Sequence, residues 1–288
     1  MSVQSKISGA SAGARTAVHG TSTTVAWLGR AGYAARGVLY LTIGVLAAMV
    51  ALGQRGGKLA DSRGALDELH TQPFGVVLLL LLAVGLAGYG IWRLAQAALD
   101  PAHEATGRWA LGKRGAWVVE ALLHFALAGY ALSRLRGDSG SGESDLDAKS
   151  GTASALSWEP FGPALVAVLG ASLLGIGVYE LVCAFRAKLD EQLDLSPLAA
   201  TTRRRIVQLS RFGIAARGVV FAIAGVFLFI AAVTSDPQQA KGFGDSLQAL
   251  REAPFGMAIL ACVALGLVAF GVYQLVEARY RRLAGLER

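Results

Sequence analysis

Residues Ala34–Gly44 read AARGVLYLTIG, and Ala215–Gly225 read AARGVVFAIAG. Each copy stands where a polar stretch gives way to a long apolar run. Self-similarity of this kind marks an internal repeat, and a repeat constrains the fold before any single element does. Extended toward the N-terminus, GRAGYAARG from Gly29, GRWALGKRG from Gly107 and SRFGIAARG from Ser210 align without a gap. Arg30, Arg108 and Arg211 correspond, and so do Arg36, Arg114 and Arg217, each of the latter followed by glycine. Further along, QPFG at Gln72, EPFG at Glu159 and APFG at Ala253 open three more apolar runs. Seventeen residues after each proline comes GIW, GVY or GVY, at Gly90, Gly177 and Gly271. From Arg36 to Pro73 and from Arg217 to Pro254 the chain takes 37 residues, but from Arg114 to Pro160 it takes 46. The excess falls in the polar loop of the middle copy.

The runs lie at about 34–52, 74–98, 115–133, 161–184, 215–233 and 255–277. Each has the ~20 residues with which a helix crosses a ~30 Å hydrocarbon core. A composition 54% hydrophobic with mean hydropathy +0.49 agrees with a membrane protein. Strands are excluded, because a membrane barrel needs alternating segments and these runs do not alternate. The expected fold is all-α: six transmembrane helices as three parallel helical-hairpin repeats, with pseudo-threefold symmetry about the membrane normal. The expected divisions are a disordered cytoplasmic tail (1–29), repeat 1 (30–101), repeat 2 (107–190), a cytoplasmic linker (191–207) and repeat 3 (208–284).

Charge sets the orientation. Of 27 Lys and Arg, 19 fall on the side of the termini and 8 in the loops opposite. The positive-inside rule then puts both termini in the cytoplasm of a bacterial plasma membrane. A nucleic-acid partner is not expected, because the basic residues border spans and form no domain of their own. Cys183 and Cys262 lie inside apolar runs and read as small buried residues.

Local signals give further expectations. Proline in the first turn of each even span costs no hydrogen bond. Phe74, Phe161 and Phe255 at one end, with Trp92, Tyr179 and Tyr273 at the other, form an aromatic belt. Asp61-Ser62 and Asp245-Ser246 offer N-caps to short amphipathic helices. Gly85 and Gly88, Ser172 and Gly175, and Gly266 and Ala269 let helices approach closely.

The RxGxxARGxVY/F entrances at Arg30 and Arg211, the PFG starts and the GVY ends resemble the bacterial membrane family named domain of unknown function 1206. The middle entrance, RWALGKRGAWV, departs from that pattern. The resemblance implies fold and location; it carries no activity.

Enzyme motifs are absent: no HExxH, GxSxG, P-loop or CxxC is present, and only His124 among four histidines lies in a span, so neither a metal nor a cofactor is expected. Two groups remain as candidate sites. Arg36, Arg114 and Arg217, with Arg30, Arg108 and Arg211 beside them, either anchor the topology or form a cationic ring for an anionic lipid or solute. Glu180 and Glu277 are placed to neutralise such a ring. Glu120 and His124 are the ionisable residues deep in a span, four apart on one helix face; Thr42 and Ile223 replace Glu120 in the other copies. They read either as hydrogen-bonded glue or as a proton- or ion-binding pair. The expected function is a non-enzymatic membrane protein working through lipid or protein contacts. The alternative is a small-solute or proton-coupled transporter using Glu120 and His124.

Overall fold

The computed structural model of the chain describes residues 3–99, 110–137, 144–158, 160–186 and 193–281. Nine α-helices follow in order among them: α1 (Val3–Ala51), α2 (Ser62–Thr71), α3 (Gly75–Leu99), α4 (Ala110–Leu135), α5 (Ser144–Leu156), α6 (Gly162–Arg186), α7 (Ala200–Thr234), α8 (Phe243–Glu252) and α9 (Gly256–Tyr280). Six carry a stretch long and apolar enough to span a membrane: Ala26–Ala51 of α1, then α3, α4, α6, α7 and α9. In hydrocarbon no water is present to satisfy backbone groups, so an apolar run of this length resolves as helix. The chain is a multi-pass membrane protein.

Two boundaries move. Helix α1 begins at Val3, so the chain is helical where a disordered tail was expected. The segment has no proline to stop a helix. The linker is half helix, because α7 starts at Ala200, and its first part is pinned: Asp194 N–H donates to Tyr280 C=O at 2.7 Å, and Leu193 and Leu195 are buried.

The PFG motif is a turn that precedes its helix. Gly75 N–H donates to Gln72 C=O and Gly256 N–H to Ala253 C=O, both at 2.8 Å. Pro73 and Pro254 therefore sit two residues ahead of helices α3 and α9. Phe74 and Phe255 take left-handed φ of 63° and 59°, which throws their rings outward into full exposure. The next glycine is required by space, since a Cβ on Gly75 or Gly256 would collide with the carbonyls of His70 or Arg251 at the end of the preceding helix. Asp61 caps α2, accepting from the N–H groups of Arg63 (3.0 Å) and Gly64 (2.9 Å). Helix α8 starts earlier than expected, at Phe243, so Asp245-Ser246 lies in its first turn and is no cap. The second aromatic belt is also corrected. Tyr179 is exposed, but Trp92 and Tyr273 are buried among helices.

Between copies the packing follows one rule. The second helix of each copy packs on the first helix of the next: α3 on α4, α6 on α7, and α9 back on α1. Glycine stands in all three contacts, and a Cβ on Gly90 would lie 2.9 Å from the Phe125 ring of α4. A Cβ on Gly37 would lie 2.8 Å from Leu275, and one on Gly177 would lie 2.5 Å from the Ala222 nitrogen. Within copies the rule fails once. Helices α1 and α3 pack together, as do α7 and α9, whereas no comparable interface joins α4 to α6. The described packing thus does not complete a threefold ring; it is open at the middle hairpin.

Candidate functional site

The polar residues of the spans gather where the copies meet, and the repeat register explains how. Three residues after the GIW or GVY glycine stand Arg93, Glu180 and Gln274. These are equivalent positions carrying a base, an acid and an amide. Each faces the first helix of the next copy. On α7, Arg217 donates through both Nε (3.1 Å) and Nη2 to the Glu180 carboxylate, with Phe270 under its guanidinium at 4.5 Å. On α1, Arg36 Nε is 3.2 Å from the Gln274 amide oxygen in the orientation that also lets Gln274 donate to Glu277, and Glu277 pairs with Arg281.

The third contact cannot follow this register. It would set Arg93 against Arg114, two like charges in a low-dielectric interior. Helix α4 instead slips. Arg93 Nε lies 2.9 Å from Glu120, which is six residues beyond Arg114. Tyr89 stacks on His124 with ring centroids 4.5 Å apart, where its equivalent Phe270 meets Tyr40 at 4.7 Å. His124 is six residues beyond Val118, the counterpart of Tyr40. Six residues amount to ~9 Å along the axis and turn the helix to another face. The buried face of α4 accordingly reads Trp117, Ala121, His124, Ala128 and Ala131, while nothing lies within 4 Å of a Cβ on Gly115. The middle loop is nine residues longer than its two counterparts.

Tyr89 is the hub of the resulting cluster. Its Oη accepts from Arg36 and from Arg93 Nε (2.9 Å) and donates to Glu120 Oε1 (3.0 Å). Arg36 also lies 3.2 Å from Glu120, and Arg93 donates to Gln96 at 2.7 Å. Both guanidiniums sit over the Tyr89 ring, at 4.6 and 5.0 Å. His124 Nδ1 is 2.7 Å from the Glu120 carbonyl oxygen, which can only accept, so Nδ1 carries the proton. The Glu120 carboxylate lies against Arg36, Arg93 and the Tyr89 hydroxyl on neighbouring helices, while His124 meets the Glu120 backbone carbonyl and the Tyr89 ring.

Arg36 and Arg217 thus share a buried, carboxylate-bearing layer. Arg30 donates to the Arg279 carbonyl at 2.9 Å, against the C-terminal turn of α9, where a cation is favoured. Arg114 is half-buried and Arg211 exposed; Arg108 lies outside the described residues. Tyr89, Arg93, Gln96 and Gln274 were missed by sequence reasoning, although the alignment of Arg93, Glu180 and Gln274 was available to find three of the layer's members. A cavity of about 490 Å³ opens elsewhere, at the loop end between Val50 and Gln248, fourteen residues along α1 from Arg36.

The hairpins coincide with what comparison finds. Segments 31–100, 115–187 and 212–281 each match the family model described as Domain of Unknown Function (DUF1206). A Bacillus subtilis (strain 168) protein, described as uncharacterized protein YxxB, is 32% identical over 255 residues, covering 88% of this chain and 90% of its own. No solved structure matches the chain. With three matched segments and a relative of nearly full length, the chain belongs to the DUF1206 family of multi-pass membrane proteins.

Proposed function

We propose that the protein is a non-enzymatic component of the bacterial plasma membrane, with both termini in the cytoplasm, that acts through lipid and protein contacts. Its bundle descends from a threefold arrangement about the membrane normal, from which the middle copy has departed. The observation that carries this reading is the saturation of the charge layer. Arg36, Arg93 and Arg217 are met by Glu120, Glu180 and Tyr89, where a substrate path would leave intramembrane charges facing a wet cavity. Charges so engaged fix helix partners and leave the outer faces of the bundle to do the work. The test is flux in sealed proteoliposomes. An imposed pH step between about 5 and 8, where histidine titrates, is expected to produce no protein-dependent proton or solute movement. Flux abolished by Glu120→Gln with His124→Asn would establish the transporter reading instead. That second reading has one observation in its favour: the Glu120 side chain is 28% exposed, at the hairpin that does not close.

A further inference from the structure

At its loop end, the contact between the third copy and the first is left open. Helices α2 and α8 hold equivalent places, Leu66 and Leu69 corresponding to Leu247 and Leu250 at an offset of 181 residues. Asp67 of α2 reaches the first helix of the next copy. It accepts from the Tyr130 hydroxyl at 2.9 and 3.0 Å and meets Arg134 Nε at 2.8 Å. A phenol and a guanidinium thus fill the space between α2 and α4. The counterpart of Asp67 is Gln248, and no comparable contact joins α8 to α1. Between them lies the cavity of about 490 Å³, with Val50 on one side and Gln248 on the other. That volume suits a small ligand.

The polar groups lining this cavity do not satisfy one another. In α2 the aspartate is the N-cap, Asp61, whose Oδ1 accepts from two backbone N–H groups. The third copy has Gly242 in that place and carries its aspartate three residues further on. Asp245 lines the cavity, and its Oδ2 is buried with no hydrogen-bond partner. A buried carboxylate oxygen without a donor costs free energy, which a bound donor recovers. Arg251 stands where α2 has His70, lines the same cavity and is exposed, with no ion pair among the described residues. Lys58 also borders the cavity but is held by Glu68 at 3.0 Å. Six residues separate Asp245 from Arg251, a rise of ~9 Å along α8. The cavity therefore presents an unmet acid and an unmet base that do not meet each other.

We propose that this cavity binds a short peptide with free termini, its ammonium group donating to Asp245 and its carboxylate resting on Arg251. An extended peptide of about three residues spans ~10 Å, which matches the rise between the two charges, whereas a single amino acid is too short to reach both. Gln54 and the Gln248 carbonyl oxygen, whose amide nitrogen is already given to Glu252, offer partners to the peptide groups between. Two simpler occupants fit less well. A metal cation would find one carboxylate beside two basic side chains, and an inorganic anion would leave Asp245 unmet. The site is separate from the charge layer and goes beyond the lipid-contact reading.

Isothermal titration of the full chain in detergent micelles with trialanine tests the site. The wild type is expected to bind it saturably. Acetylating the peptide's amine removes the group meant for Asp245, and amidating its carboxylate removes the group meant for Arg251. Each change should weaken binding about tenfold, the scale of one charged hydrogen bond. Asp245→Asn should weaken trialanine binding by a similar factor and leave the acetylated peptide unaffected. Arg251→Gln should do the same with the amidated peptide. No saturable heat with trialanine on the wild type means that water alone fills the cavity, and overturns the proposal. Equal affinity for alanine or for the doubly blocked peptide overturns it too, because neither bridges the two charges. So does unchanged affinity in both variants, which would place the peptide elsewhere. Free and blocked peptides are compared on the wild type, so that arm decides whether or not the variants fold.

Discussion

Charge compensation decides which residues meet. Glu180 is buried and Arg217 half-buried on facing helices, and they hold each other by a two-pronged contact. Removing one leaves the other as an uncompensated charge, which costs about 3–5 kcal/mol, whereas replacing both by apolar residues is often close to neutral. Arg217→Leu is therefore expected to lower the thermal unfolding midpoint in detergent sharply. Adding Glu180→Leu should recover most of the loss. A double variant no better than the single would mean that the pair is not what holds α6 to α7. The same logic applies to Glu120, the carboxylate that faces both Arg36 and Arg93. Glu120→Gln keeps a hydrogen-bond acceptor for Tyr89 but leaves two guanidiniums facing each other. A smaller loss is expected, about 2–3 kcal/mol, because this side chain is partly exposed. The measurement is again the melting midpoint, and an unchanged midpoint would contradict the role given to Glu120.

Helices are placed by their glycines, and the slip of α4 makes equivalent glycines behave differently. Gly177 and Gly225 sit in the α6–α7 crossing, and a Cβ at Gly177 has no room beside the Ala222 nitrogen. Gly177→Ala is expected to destabilise by about 1–3 kcal/mol, since overpacking forces the helices apart. Gly115 occupies the place of Gly37 and Gly218 in the repeat, yet has open space around it. Gly115→Ala is expected to be neutral or to stabilise by up to ~1 kcal/mol, the helix-propensity gain alone. If both substitutions destabilise alike, α4 packs in the register of its sisters and the slip is wrong. The PFG turns show the other use of glycine, a close approach to the preceding helix end, which is why the phenylalanine before it carries the left-handed φ in two copies.

At the scale of the molecule, the spans and their number were legible, because apolar length and repeat spacing are one-dimensional properties. The charge layer was half legible. Arg36, Arg217, Glu120, Glu180 and Glu277 announced themselves as ionisable residues in apolar runs, but pairing is a property of helix register. Register depends on Arg93, which looked like one more basic residue bordering a span. The nine extra loop residues read only as drift of the middle copy. Orientation is testable directly. In a background without Cys183 and Cys262, a cysteine at Ser157 should label with an impermeant reagent from outside the cell, and one at Thr201 only after the membrane is opened; the reverse pattern would invert the topology. The open middle hairpin is the claim on which the rest depends, and equivalent positions test it. Gly175 and Ala269 correspond in the repeat, one exposed to the bilayer and the other buried against α7. Spin labels placed singly at these two positions, in liposomes, report collision with dissolved oxygen, which concentrates in the hydrocarbon. High oxygen accessibility at residue 175 with low accessibility at residue 269 is the expected result, and equally low accessibility at both would show the hairpin closed and contradict the account.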